Sequence, residues 1–405
     1  MAKWEEKRLE DIVCVNPPVK LVKQQNYAFI DIDKVSPTNK FVTNTETKIY
    51  DGQSSSKFCN GDTVFSRITP CLENGKIAKA KFNGNKAFGS TEFYVFRAKK
   101  GLADENFVYY LTKSNSVVLP AINSMTGASG RQRADKRFIQ RLKLSIPDLP
   151  TQECIADILS AYDDLIENNN KRIALLEKAA QELYKEWFVR FRFPGHETAE
   201  FENGLPKGWK VKRISDLFEV TSSKRVYLAD YVETGIPFYR SKEIIQLATG
   251  QAITECLYIS ESAFSTFNSK FGSPIQNDIL ITSVGTIGIS YLVDGHTFYF
   301  KDGNLTWIKS SVAPKLALFV YSWLNSNQGK QQLLLSTIGT SQSALTIENL
   351  KKNKLIVPTN SLIDDFYVIT DKLIQQIRTL QKLNQNLAKQ RDLLLPRLMS
   401  GKLEV

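Results

Sequence analysis

Between residues 150 and 193 the apolar positions fall into one long register. Ile155, Leu159, Tyr162, Ile166, Asn169, Ile173, Leu176, Ala180, Leu183 and Trp187 follow one another in steps that alternate four and three. That spacing is a heptad seam, and it predicts a long helix with a partner helix along its length. The same steps return near the C-terminus in Phe366, Thr370, Leu373, Ile377, Leu380, Asn384, Leu387, Arg391, Leu394 and Leu398. Each seam carries a polar residue, Asn169 in the first and Asn384 in the second, and a buried Asn fixes register at a cost in stability. Helices of about 40 residues would each run roughly 60 Å at ~1.5 Å per residue. The expectation is that they pack on each other.

The pattern outside the helices also occurs twice. Residues 4–15, WEEKRLEDIVCV, match 209–220, WKVKRISDLFEV, at the Trp, the Lys-Arg pair, the Asp and the final Val. GDTVFSRITPCLENGKIAKAKF (61–82) is echoed by NDILITSVGTIGISYLV (277–293), each a β-rich run entered through a turn that ends in Asp. STEFYVFR (90–97) and NLTWIK (304–309) read as strands. Residues 107–118 and 318–333 read as short helices, and 126–147 parallels 338–358 on the way into each long helix. The stretches 16–60 and 221–275 show no match. The organisation expected is a globular region over 1–149, a central helix over 150–193, a second globular region over 194–360 and a C-terminal helix over 361–405. Strands mixed with short helices make each region α+β. An internal two-fold that exchanges the regions also exchanges the helices, so a packed pair is antiparallel and separates the two regions.

Composition narrows the function classes. A chain of 405 residues has room for two or three domains at about 150 residues each. No apolar run nears the roughly 20 residues of a membrane span, and MAKWEEKRLEDIV has no apolar core of a signal peptide. The five cysteines (Cys14, Cys59, Cys71, Cys154, Cys256) are scattered without a CxxC pair, as structural thiols in a reducing cytoplasm would be. The net charge of +11 favours a polyanionic partner.

Enzymatic motifs are lacking. The two histidines, His196 and His296, are isolated, and neither a P-loop nor a GxGxxG after a strand occurs. Asn16-Pro17-Pro18-Val19 resembles the NPP[YF] motif of amino-methyltransferases, in which the aromatic stacks on a flipped base. Here Val19 replaces the aromatic, and a Pro-Pro turn is the favoured reading. Asp33 with Glu46-Thr47-Lys48 fits the loose D…ExK spacing of metal-dependent nucleases, a pattern common by chance.

Basic polar loops stand out instead. Ser129, Arg131, Gln132 and Arg133 form one, followed by Lys136, Arg137, Arg141 and Lys143 with only Asp135 against them. Arg and Lys neutralise phosphates, and Arg and Gln also make bidentate contacts to base edges. The second half offers Ser341, Gln342 and Ser343, then Lys351, Lys352 and Lys354, together with Lys224, Arg225, Arg240 and Lys242. Arg67 and Lys76 in the run 61–82, and Ser283 in its echo, complete the candidate DNA contacts. A charge run is usually a solvated face, but one such loop in each half favours DNA, and a long, repeating duplex suits a doubled protein.

LEKAAQELYKEWFVRFRFP (176–194) and LAKQRDLLLPRLMSGKLEV (387–405) close the two helices, and Ile146-Pro147 and Val357-Pro358 lead into them. With the GW-x-x-x-[KR]-[LI]-x-[DE]-[IL] opening from Gly208 to Leu217, and its partner from Trp4 to Ile12 without the Gly, the whole chain resembles the specificity subunits of type I restriction–modification systems. The resemblance implies two target recognition domains that each read half of a bipartite double-stranded DNA site, with the helices setting the spacing. It implies two copies of a DNA adenine methyltransferase subunit that uses S-adenosylmethionine, and motor-endonuclease subunits that use ATP with Mg²⁺. It implies no catalytic residue, cofactor or metal in this chain. A self-contained methyltransferase or nuclease and a purely structural coiled-coil adaptor are the competing classes. The helix ends, with Tyr184, Trp187, Phe188, Phe191 and Phe193 on one and Leu393, Leu394, Leu395, Leu398 and Met399 on the other, hold more apolar surface than a two-helix seam buries. Either the globular regions cover it or methyltransferase subunits dock there.

Overall fold

A computed structural model describes residues 3–42, 45–311, 313–339 and 343–405. The chain forms two compact units, Met1–Asn168 with Asn386–Val405, and Asn169–Gln385, so each unit takes a part of both long helices.

In the first unit the opening strand Trp4–Arg8 pairs antiparallel with Lys143–Pro147, Trp4 opposite Pro147. This ties the start of the region to the entry of the helix. Asp11 accepts a hydrogen bond from the Arg8 N–H at 2.8 Å. Two four-stranded sheets follow. One has the order Val13–Val15, Phe93–Ala98, Thr63–Ser66, Ile77–Lys79. The other has the order Glu46–Tyr50, Gln25–Ile30, Lys86–Gly89, Ser56–Cys59, with its central pair parallel. Ile30, Phe58, Val64, Ala87, Phe93 and Val95 form a core between them. Phe65, Tyr94 and Phe96, alternate residues on the first sheet's other face, pack against Phe107, Tyr110 and the helix residues Ile155 and Leu159.

The second unit repeats the opening pair and the order of the first sheet. Lys210–Arg213 pairs with Lys354–Val357, and Asp216 accepts from the Arg213 N–H at 2.9 Å. The Lys-Arg and Asp matches between the two openings are thus one local motif used twice. The sheets run Glu219–Thr221, Leu305–Lys309, Ile279–Thr282, Ser290–Leu292 and Tyr231–Val232, Leu257–Ile259, Ile236–Tyr239, Tyr299–Phe300, the latter again with one parallel pair, Ile236–Tyr239 with Tyr299–Phe300, here at the sheet's edge. The turn-ending acids are also equivalent. Asp62 and Asp278 are both buried, and each accepts from the N–H three residues before it. Where sequence suggested one short helix per region there are two, Glu105–Lys113 with Asn115–Asn123 and Pro314–Asn325 with Asn327–Leu335. The break falls at Ser114 and at Ser326, whose hydroxyls each donate to a carbonyl three residues back, at 2.6 Å. That local bond competes with the helix ladder. Both unmatched stretches hold an antiparallel strand pair, Gln25–Ile30 with Glu46–Tyr50 in the first unit and Ile236–Tyr239 with Leu257–Ile259 in the second, but the second adds the helices Ser241–Ala248 and Glu261–Phe271.

The first long helix spans Leu149–Tyr184 and ends in a wider π turn over Lys185–Val189. The second spans Asn360–Met399. Every seam position is buried or half-buried, from Ile155, Leu159, Tyr162 and Ile166 through Ile173, Leu176 and Leu183, and from Phe366, Leu373, Ile377 and Leu380 through Leu387 and Leu394. Within the second unit Asn169 donates to Asn384 at 2.9 Å, while Trp187 meets Phe366 with ring centroids 6.0 Å apart. Later positions on one helix meet earlier positions on the other, so the pair is antiparallel. Asn384 also donates to Asn170 at 2.9 Å, giving the polar pair a fixed register.

The apolar helix ends are covered inside each unit rather than left for a partner. Tyr184, Trp187 and Phe188 are buried in the second core, with Phe191 and Phe193 packed on it. Leu398 and Met399 are buried in the first, with Leu394 and Leu395 against them. Of this set only Leu393 is well exposed, at 59%.

Candidate nucleic-acid interface

In the first unit the candidate residues gather round the turn before the strand Phe93–Ala98. The Arg67 N–H donates to the Glu92 carbonyl at 2.9 Å, and the Arg67 carbonyl accepts from the Ala134 N–H at 2.8 Å. Arg133 bridges to both Ile68 and Thr126, closing 126–133 into a tight loop. Gly130 turns the tip with φ 77°, a conformation that favours glycine. The side chains follow the backbone. Glu92 accepts from Arg67 Nε at 3.2 Å, from Arg133 Nε at 3.0 and 3.1 Å, and from an Arg133 terminal nitrogen at 2.6 Å. Arg67 also lies over the Tyr94 ring, 5.4 Å from its centroid. The bond from Arg133 holds the Glu92 carboxyl below the usual carboxylate range, against the opposing effect of burial. Two cations around one anion leave a net positive site.

Ser129 and Arg131 at the tip, and Arg137 on the following helix Lys136–Gln140, are exposed. The guanidinium groups of Arg131 and Arg137 have no partner among the described residues. Gln132 is half-buried, and its backbone is bonded to Thr69. Lys76 is half-buried and donates to the Ile32 carbonyl at 2.9 Å.

The second unit brings its candidates to the equivalent turn, 302–305, but with other chemistry. Ser222 donates to the Leu305 carbonyl at 2.8 Å and Ser241 to the Asn304 carbonyl at 3.4 Å. Lys224 is exposed, its ammonium 5.0 Å from the centroid of the Phe271 ring. Arg225 is exposed and pairs with Asp302 at 3.4 Å. Lys242 pairs with Glu255 at 3.5 Å on the surface. Ser343 is exposed; Ser341 and Gln342 lie outside the described residues.

One candidate needs correction as a direct contact. Ser283 is buried at 4% exposure, with its hydroxyl on Thr306 at 2.7 Å, because its position follows an inner strand. Arg240 has Nε and a terminal nitrogen on Glu243 at 3.2 and 2.6 Å, and Glu243 is fully buried at the start of the helix Ser241–Ala248. Its fork secures that helix. Glu92 was missed by sequence reasoning: it lies 25 and 41 residues from the two arginines it joins.

The enzymatic alternatives find no support in the geometry. The Asn16 amide oxygen accepts from the Val95 N–H at 2.8 Å and its backbone N–H donates to the Val95 carbonyl at 2.7 Å, so Asn16 ends a strand. Lys34 lies 3.5 Å from Asp33 and 4.0 Å from Glu46, and Lys48 lies 3.2 Å from Glu46, which neutralises the acids at the surface. Among the described residues no three His, Cys, Asp or Glu side chains cluster, and no helix is long and apolar enough to cross a membrane.

The type I restriction modification DNA specificity domain matches residues 1–178 and again 206–389. The type I restriction enzyme MjaIX specificity subunit of Methanocaldococcus jannaschii is 30% identical over 402 residues, 98% of this chain and 87% of that protein. The HindI specificity subunit of Haemophilus influenzae is 23% identical over 474 residues, covering 100% of both chains. The type I restriction–modification S subunit from M. genitalium shares the fold at 15% identity, with a TM-score of 0.56 over 98% of this chain and 96% of that one. Two matches in one chain, falling on two units of one topology, define a duplicated DNA-specificity protein. The chain belongs to the family of type I restriction–modification specificity subunits. Its role in such a system is specificity, the methylase and endonuclease activities residing in other subunits.

Proposed function

We propose that this chain reads an asymmetric, bipartite double-stranded DNA site and brings partner subunits to it. The observation that carries the reading is one topology used twice with unlike elements in 16–60 and 221–275. Matched scaffolds with different reading surfaces cannot impose a palindrome, unlike a true homodimer. The partners are two copies of a DNA adenine methyltransferase subunit, one per pseudo-symmetric half, and motor-endonuclease subunits. S-adenosylmethionine, ATP and Mg²⁺ bind those partners.

The test is to express the chain with its methyltransferase subunit and sequence the methylated genome of the host. Two unlike half-sites separated by a spacer are expected; a continuous palindromic motif would overturn the reading. A chain that methylates DNA by itself would favour a self-contained enzyme, and one with no preference over heparin a coiled-coil adaptor.

Affinity should fall steeply with salt, because phosphate neutralisation releases counterions. Arg131→Ala should weaken binding to one half-site only. If Arg131 touches a base, about 1–3 kcal/mol of discrimination goes with it; if it touches phosphate, all sequences weaken together and the salt slope shrinks by about one. Unchanged affinity and motif would remove the loop tip from the interface.

A further inference from the structure

Glu92 belongs to none of the basic loops, yet Arg67 and Arg133 meet on it. Both of its carboxylate oxygens are used, and its side chain is 20% exposed. The bonds are side-on for Arg133: Nε and one terminal nitrogen face the carboxylate, and the other terminal nitrogen donates to the Arg131 carbonyl at 3.3 Å. A guanidinium has five N–H donors in a fixed fork. Engaged in this way it still has an N–H on each terminal nitrogen, the pair that reaches the O6 and N7 of guanine. Arg67 offers Nε to Glu92, and among the described residues its two terminal nitrogens have no hydrogen-bond partner; the guanidinium lies over the Tyr94 ring.

A staple that merely closes the loop would explain the same bonds, and the second unit argues against it. There the Ser283 N–H donates to the Asn304 carbonyl at 2.9 Å, and the Ser283 carbonyl accepts from the Leu345 N–H at 2.9 Å. Ala344 bridges to Val284 and to Ile338 as Arg133 does to Ile68 and Thr126. By these bonds Arg67, Glu92 and Arg133 correspond to Ser283, Asn304 and Ala344. These same backbone bonds thus form around three neutral residues. The charged cluster is an addition to it, made in one unit only.

We propose that Glu92 is a positioning residue for base recognition, holding Arg133 and Arg67 in a fixed orientation so that the free edge of the Arg133 fork reads one base pair, a guanine-containing one, in the half-site of the first region. A pre-ordered fork loses less side-chain freedom on binding than a mobile one. The second region, with Ala344 at that place, makes no such contact. This rests on the proposed function and adds a residue and a base class to it.

The effect of removing the carboxylate distinguishes positioning from support. Glu92→Gln keeps the size and an acceptor but removes the charge that draws both arginines. With the full chain and its methyltransferase subunit, the methylated motif is read by sequencing, and duplexes carrying each base at each position of both half-sites are then compared. Glu92→Gln should lower discrimination about tenfold or more at one guanine-containing position of one half-site. It should leave the other half-site intact and bind non-specific duplex as tightly as before or more so, since a negative charge facing phosphates is gone. Arg133→Lys keeps a cation beside Glu92 but lacks the fork, and should relax the same position. Unchanged discrimination in Glu92→Gln, loss spread evenly over all positions, or different positions for the two variants would each overturn the proposal. Retained reading of the second half-site shows that a variant is folded; a Glu92→Gln chain that loses both half-sites and melts early would make Glu92 a support and overturn it also. If the wild-type complex yields no bipartite motif, the proposed function falls first, and this inference with it.

Discussion

About 3–5 kcal/mol of stability should disappear when Asp163 is replaced by alanine, because the change leaves a buried cation without its partner. Asp163 and Arg391 form an ion pair with side chains 2% and 6% exposed. The Tyr110 hydroxyl donates to the same carboxylate. Burial would depress the Arg391 guanidinium, but Asp163 and Asp392 outweigh it and raise its affinity for the proton. A guanidinium does not give up its proton in a protein, so Arg391 stays charged in Asp163→Ala, beside the exposed Asp392, and Tyr110 loses its acceptor. The midpoint of urea unfolding reports the loss. The pair is not thereby a large net source of stability, since desolvating both charges offsets most of their attraction. Replacing both by leucine should accordingly recover most of the loss or exceed the wild type. A single variant within 1 kcal/mol of wild type, on the order of a surface substitution, would show that water reaches the site.

These residues also show what the sequence could express. Arg391 falls on the heptad seam, where spacing alone placed it among apolar neighbours, and its burial follows. Its partner lies between the seam positions Tyr162 and Ile166, and the third member comes from the helix Glu105–Lys113. Periodicity along one helix reports the face but not what a different element supplies. The seams, the duplication and the paired openings were legible because each rests on spacing or on a local bond such as Arg8 to Asp11. The candidate site was legible only as composition. Ser283 looked like a loop hydroxyl in an echo of Arg67, but its position follows an inner strand and it is buried. Arg240 looked like a free cation, although Glu243 three residues on, at the start of a helix, is the spacing at which such side chains meet. Glu92 joins segments remote in the chain, and nothing local to it signals that role.

The second large loss should come from Phe366→Ala, for a reason unrelated to charge. Phe366 has no exposed surface. Its ring packs edge-on to Phe188 at 4.9 Å and lies 6.0 Å from Trp187 and 6.3 Å from both Tyr184 and Phe319. These partners come from the end of the first long helix and from the helix Pro314–Asn325, so one ring joins three elements of the second unit. Truncation removes the ring's transfer free energy and leaves a cavity that four large, mutually packed side chains cannot close, which costs about 3–5 kcal/mol. Edge-to-face pairs contribute a further ~0.5–1.5 kcal/mol each beyond area, so the upper part of that range is expected. Phe366→Leu fills much of the space and should lose about half as much or less. Leu393→Ala, on the same helix but exposed, should stay within about 0.5 kcal/mol of wild type. If Phe366→Ala unfolds at the same urea midpoint as Leu393→Ala, the aromatic cluster is not what holds the start of the second helix to its unit, and the Asn169–Asn384 register bond would have to do so instead.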